Sequence, residues 1–421
     1  MTLLEQSARL IDESIYEGPR SVQPMDGSFH EIADGIAVVC AFSHVWSLAT
    51  DEGLVAIDTS LPMFAPGVLK HLHKWRSQPV HTIVYTHGHA DHVGGAPAFV
   101  EDAKERGSPA PRVVAHEAVR PRFDRYNLTH GYNQTINRRQ FSANDMLDLF
   151  ADNWVYPNTT YADALDLEVG SASLQLMHAQ GETDDHTMVW MPQERALFVG
   201  DLFIWFFPNA GNPQKVQRYP SEWAAALRRM IELRPALLLP AHGLPIAGEE
   251  RIAMVLNDVA TALEGLVADT LEMMNAGARL DDIIHQVRVP DDLMARPYLR
   301  AAYDEPEFVV RNIWRLYGGW YDGNPARLKP APDQALAAEV AQLAGGAAAV
   351  AARASELAKA GNLRLACHLA EWAAQAAPDD ADVLEVRADV YRQRRDQEQS
   401  LMSRGIYNDA SQSWGRADHE D

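Results

Sequence analysis

The 421 residues carry 58 acidic against 37 basic side chains, a formal charge of −21. That balance excludes nucleic-acid and anionic-membrane binders, which need a basic surface. Hydrophobic residues make up 47%, enough for a sizeable core in two or three domains, with no apolar run long enough for a membrane span.

The first twenty residues mix acids and bases without the apolar stretch of a signal peptide. Cys40 and Cys367 stand far apart, so no disulfide framework is expected and the compartment reads as reducing and cytoplasmic. Residues 1–27 are expected as a helical leader. Strands follow in "FHEIADGIAVVCAF" and in "VWSLATDEGLVAIDTS", the second broken by the turn Asp51-Glu52-Gly53. A helix is expected in "FAPGVLKHLHKWRS", then a short strand, "HTIVYT", then one helix over "ADHVGGAPAFVEDAKERG" despite its glycine pair. Further strands are "RVVAHE", "LDLEVGSASLQLMHA", "HTMVWMPQERALFVGD" and "ALLLPAHG". Between residues 113 and 165 the alternation is interrupted by an aromatic, Asn-rich insertion containing "FDRYNLTHGYNQTINRRQF". Alternating strands and helices give an α/β class with a layered sheet core.

Beyond about residue 250 the pattern turns helical. In "PEFVVRNIWRLYGG" the residues Val310, Ile313, Trp314 and Tyr317 share one apolar face, closed by Gly318-Gly319. The Ala-rich tail reads as helix pairs, similar to tetratricopeptide packing but with too few repeats for a solenoid. A helical bundle with an interface role is the expectation.

The chemistry concentrates in "YTHGHADHVGG". Buried imidazoles and carboxylates without partners cost on the order of 1–3 kcal/mol each, and a divalent ion satisfies them together. His87 and His89 straddle one residue and can serve one metal; Asp91 and His92 can serve a second. Each Zn²⁺ needs further ligands, and Glu182, Asp201 and His242 each follow an apolar strand where a loop begins. His186 is an alternative to Glu182, and His178 reads as supporting or packing. Asp58, at its strand end, is expected to orient the metal loop by hydrogen bonds.

The run H-x-H-x-D-H, a ligand after a later strand, an aspartate after the next and a late histidine resembles the metallo-β-lactamase fold. The resemblance covers roughly residues 28–248. It implies an αββα sandwich with a dinuclear site at one edge: His87, His89 and Glu182 on one ion, Asp91, His92 and His242 on the other, Asp201 bridging. Glutamate at position 182 is similar to the alkyl sulfatase branch. "VVRNIWRLYGGWYDGNPARLKP" resembles the alkyl sulfatase dimerisation domain, expected over 249–421 and implying a homodimer, with no lipid-transfer-like domain after it.

Two Zn²⁺ per chain, or Mn or Fe in their place, imply hydrolysis by a metal-bridging hydroxide, with Asp91 orienting the nucleophile. The charges of two divalent ions, three carboxylates and one hydroxide cancel, so basic side chains are expected to hold an anionic substrate group. Candidates are Lys215 and Arg218 after the bridging acid, and Arg138-Arg139 in the insertion. Trp205, with Phe206 and Phe207, would face an apolar portion; His44 and Trp46 read as pocket or core. The small-molecule substrate expected is an alkyl sulfate or related anionic ester. A carboxyl-ester, lactone or thioester hydrolase of the same fold, and a non-catalytic helical interaction protein, are the alternatives.

Overall fold

β-Branched and aromatic runs separated by turns become two mixed sheets in the computed structural model, which describes residues 1–141 and 153–412. The first sheet contains β1 (Phe29–Ala33), β2 (Ile36–Val39), β3 (Val45–Ala49), β4 (Leu54–Ile57), β5 (Val80–Val84), β6 (Arg112–His116) and β7 (Thr159–Tyr161), in that spatial order. β1 to β4 pair antiparallel and β4 to β7 parallel. Parallel neighbours need crossovers, supplied here by helices Ala65–Trp75, Ala96–Glu105 and Val119–Leu128. Their apolar faces meet this sheet in one buried cluster that includes Leu72, Ile83, Phe99, Val113 and Phe123.

The second sheet contains β8 (Ala164–Val169), β9 (Ala172–Ala179), β10 (His186–Met191), β11 (Ala196–Gly200), β12 (Leu237–Pro240) and β13 (Ile246–Ala247). Its order runs from β13 back to β8, with only β11 and β12 parallel among the described pairs. The two sheets meet through side chains of their inner faces. Trp46 on β3 packs edge-on against Phe198 on β11 and its indole N–H donates to Pro240 O at 2.9 Å. Helices Pro220–Glu232 and Glu249–Asn275 pack on the far side, against β9, β12 and β13. The expected αββα sandwich is therefore present.

The single helix expected over residues 90–107 is two, Ala90–Val93 and Ala96–Glu105, broken at the glycine pair. A Cβ on Gly95 would lie 2.1 Å from Thr59 O, so the backbone passes too close to the loop after β4 for a continuous helix with side chains. β7 and β13 were not foreseen, being too short to carry an alternating pattern. The leader is two helices, Leu3–Asp12 and Pro19–Val22.

By contacts the described residues divide into two compact units, one of residues 1–134, 153–278 and 282–319, the other of 135–141, 279–281 and 320–412. The all-helical composition that starts near residue 250 thus begins inside the first unit. Helix Pro306–Gly318 belongs to it and buries Val309, Val310, Asn312 and Ile313, while Tyr317, expected on the apolar face, is exposed. In the second unit helices Asp333–Ala344, Ala347–Lys359, Leu363–Ala376, Ala381–Gln397 and Leu401–Gln412 pack through small residues such as Ala351, Ala366, Ala370 and Ala373. No single described helix is long and apolar enough to cross a membrane. Residues 142–152 of the insertion and 413–421 of the expected helical domain lie outside the described residues.

Candidate metal centre

Four strands of the sandwich end at the same place. The loop after β5 carries His87, His89, Asp91 and His92; the turn between β9 and β10 carries Glu182; Asp201 follows β11; His242 follows β12. These seven residues fall into two groups, His87, His89, Glu182 and Asp201 in one and Asp91, His92 and His242 in the other. Within each group one ligand atom per residue lies within 4.8 Å of the rest.

Asp201 faces both groups. Its Oδ2 is 3.9 Å from His87 Nε2, whereas its Oδ1 is 3.3 Å from His92 Nε2 and 3.6 Å from His242 Nε2. Asp91 Oδ2 is 3.2 Å from His242 Nε2 and 3.5 Å from His92 Nε2. His87 Nε2 and His89 Nδ1 converge at 2.9 Å. Burial and the neighbouring histidines drive the His87 imidazole well below its ordinary pKa, and burial with Arg218 and Arg122 does the same to His89. Both rings are therefore neutral, the form that ligates metal.

The donor set fits a pair of divalent cations. His92 Nε2, Asp201 Oδ1 and Glu182 Oε2 are buried without a hydrogen-bond partner, a costly arrangement unless an ion takes those lone pairs. Burial pushes Glu182 up to about 8 against the pull of Arg218, while His92 and His242 hold Asp201 and Asp91 below the usual carboxylate range despite burial. The carboxylates thus repel one another, and cationic charge between them relieves the repulsion.

A surrounding shell fixes these ligands. Asp58, at φ 62° in the left-handed region, accepts from Thr86 N and Thr86 Oγ1 at 2.7 Å each and from His92 Nδ1 at 2.7 Å. That is the loop-orienting role expected of it, and it leaves His92 Nε2 for the centre. Gln23, in the leader, sits 3.0 Å from His242 Nδ1. Ser43 donates to the carbonyl of Asp91. Arg122 donates to Asp185 Oδ2 at 2.6 Å and to Asp184, and Asp185 Oδ2 also accepts from Gly88 N at 3.1 Å. One buried ion pair therefore ties the His87–His89 loop to the Glu182 loop. Gln23, Arg122 and Asp185 were missed in the sequence because a side chain that acts through another residue leaves no spacing signature.

Other expected residues sit as follows. His186 stacks on His87 with centroids 4.6 Å apart and donates to Val199 O at 3.1 Å, outside both ligand groups. His178 donates to Asp184 O at 2.9 Å and stacks on His116. Arg218 is not a free anion hook: it is buried, and its guanidinium meets Glu182 Oε1 at 2.6 Å and Glu182 O at 3.0 Å. Lys215 is half-buried, and burial followed by the repulsion of Arg218 pulls its ammonium down to about 7, with Asp91 and Glu182 opposing. Tyr303 also feels Glu182 and Asp91. Trp205 does not line an accessible wall: it is fully buried, at φ 60°, with its indole donating to Leu244 O at 2.6 Å. Phe207, His44 and Trp46 are buried likewise. Arg139 pairs with Asp409 at 3.5 Å inside the second unit, where Arg138 is exposed.

Residues 39–242 match the metallo-β-lactamase superfamily and residues 279–415 match the alkyl sulfatase dimerisation family. A linear primary-alkylsulfatase of Pseudomonas sp. (strain ATCC 19151) is 26% identical over 360 residues, 81% of this chain and 68% of that protein. An (R)-specific secondary-alkylsulfatase of Pseudomonas sp. is 26% identical over 85% of this chain and 58% of its own length. The solved structure of the stereoselective inverting sec-alkylsulfatase Pisa1 from Pseudomonas sp. superposes with a TM-score of 0.81 at 24% identity, covering 92% of this chain and 66% of that one. The chain thus spans about three-fifths to two-thirds of the length of these relatives. Such a sandwich, with its ligand positions filled, indicates a metal-dependent hydrolase. Residues 39–242 thus form a metallo-β-lactamase-type domain, and an alkyl sulfatase dimerisation domain follows it over residues 279–415.

Proposed function

We propose that the chain hydrolyses a sulfate ester of an alkyl alcohol with two divalent cations, zinc first among the candidates. The observation that carries this reading is the placement of Asp201, with one carboxylate oxygen toward each of two ligand groups. The alkylsulfatase relatives support the substrate class.

A cation pair bound here would polarise a substrate oxygen and lower the pKa of a shared water toward neutrality. His87, His89 and Glu182 would hold one ion, Asp91, His92 and His242 the other, and Asp201 both. Asp91, whose Oδ2 lies on the side of His242, would orient the attacking water. Arg218 restores to the site the positive charge that Glu182 removes, so a substrate anion meets less repulsion. Lys215 is the remaining candidate for direct contact with that anion.

Elemental analysis of protein purified without chelator should give two metals per chain, and His89→Ala should lose metal and activity together. Release of sulfate from medium-chain alkyl sulfates is measured beside lactone, thioester and carboxyl-ester panels. Turnover confined to the latter panels would replace the sulfatase reading by another hydrolase of this fold.

The dimerisation match and the exposed Trp320, Leu328, Leu336 and Leu343 of the second unit support a homodimer.

A further inference from the structure

The loop that follows Asp201 is built as a support for Glu182, and it is held from a distant part of the sequence. Asn209 Nδ2 and Arg218 both donate to Glu182 Oε1. Arg218 also donates to the Glu182 carbonyl at 3.0 Å. Glu182 Oε1 is thereby held in place 3.7 Å from His89 Nδ1, and Oε2 is buried without a hydrogen bond.

What keeps Asn209 and Arg218 in place comes from beyond residue 300. Asp304 is fully buried, and its Oδ2 accepts from Gly211 N at 2.6 Å and Asn212 N at 3.1 Å, while Oδ1 accepts from Glu305 N at 2.7 Å. Asn312 Nδ2 donates to Ala210 O and to Arg218 O, each at 2.9 Å. Phe207 N donates to Arg300 O at 3.0 Å. A Cβ on Gly211 would lie 2.5 Å from backbone and side-chain atoms of Phe308, so the loop is seated against the first turn of helix Pro306–Gly318. The seat lies within the stretch matched to the dimerisation family, yet it packs in the first compact unit with the metal centre.

We propose that Asn209 and Arg218 are positioning residues that fix the Glu182 carboxylate beside His89 for a metal, and that Asp304 and Asn312 are the clamp that makes this possible. The inference rests on the dinuclear reading above and extends it to residues that touch neither metal nor substrate. Hydrogen-bonded partners of metal ligands typically contribute 10- to 100-fold to metal affinity. Four hydrogen bonds to one loop, two accepted by Asp304 and two donated by Asn312, fix its course more narrowly than a surface loop's own turns.

The test is graded chelator competition on the full chain loaded with zinc, together with the visible spectrum of the cobalt form. Arg218→Met and Asn312→Ala should release one of the two metals at about tenfold lower chelator concentration than the parent. The second metal should be held as in the parent, and the folded circular dichroism retained. In a Glu182→Gln background Arg218→Met should add nothing further, because Arg218 acts only through Glu182. Arg218→Lys, which keeps the charge but cannot reach both Glu182 oxygens, should fall with Arg218→Met. A parent that binds two metals while both single variants hold them equally well overturns the positioning role alone. So does an Arg218→Met effect confined to KM for the sulfate ester, or one that persists in the Glu182→Gln background. A parent that takes up no metal overturns the dinuclear reading and this inference together.

Discussion

At the scale of single residues, the centre depends on buried pairs that an uncompensated charge would break. Arg122 and Asp185 are 3% and 0% exposed, so removing one strands the other in a low-dielectric interior. Arg122→Met should cost about 3–5 kcal/mol, read as a lowered denaturation midpoint in urea at unchanged slope. The pH dependence has a definite sign. Burial raises the Asp185 carboxyl, but Arg122 outweighs it and the net shift is downward. Its contribution is therefore complete above the ordinary carboxylate pKa and fades as pH falls through the lowered folded value. Acid titration of the parent and of Arg122→Met should converge at low pH. Asp58 offers a second residue-scale test. With Thr86 and His92 as its partners, Asp58→Ala should weaken metal binding by roughly 10- to 100-fold while leaving the His87 group able to hold one ion. Equal retention of both metals in chelator titration would count against its orienting role. The seven candidate ligands were legible because their spacing and strand-end positions show directly in the sequence. Arg218 was expected to meet a substrate anion and its guanidinium meets Glu182 instead, since a loop's sequence does not say which carboxylate its arginine will reach.

Among elements, the glycine pair at 94–95 shows how a local pattern yields to a packing constraint. The helical pattern runs through it, but Gly95 N donates to Ser60 O at 2.9 Å and the site of its missing Cβ is filled by Thr59 O. Gly95→Ala should push the metal-bearing turn away from the loop after β4 and cost about 1–3 kcal/mol, measured as a lower Tm of the metal-free protein. An unchanged Tm would show that the turn absorbs the methyl group. Helix Pro306–Gly318 carries the companion lesson. Its buried stripe is rotated away from Tyr317 and includes Asn312, because that face seats the loop around Ala210 and Arg218. A buried asparagine in an apolar stripe reads as an interruption until its two carbonyl partners are placed.

Over the whole molecule, the charge of −21 bears on the proposed substrate class. An anionic ester approaching an acidic protein needs a local cation, and Lys215 is a half-buried cation on which the charges of Arg218, Asp91 and Glu182 all act. Lys215→Ala should raise KM for an alkyl sulfate about tenfold or more, as expected for losing a charge-assisted contact of about 1.5–3 kcal/mol. Both metals should remain, and turnover of a neutral ester should change little; equal effects on both substrates would make Lys215 structural. Light scattering at micromolar concentration should give a dimer, for which a buried surface of roughly 2,000 Å² or more is usual; a monomer would refute it. The sequence by itself determined the α/β sandwich, the seven candidate ligands and the helical C-terminal region, because strand alternation, ligand spacing and composition are local properties of the chain. Only the tertiary structure decided that Asp201 faces both ligand groups, that Trp205 is core, that Arg218 pairs with Glu182 and that Asp304 and Asn312 bond to its loop. Those facts are contacts between segments in places more than a hundred residues apart, and no periodicity or spacing encodes which of them close in space.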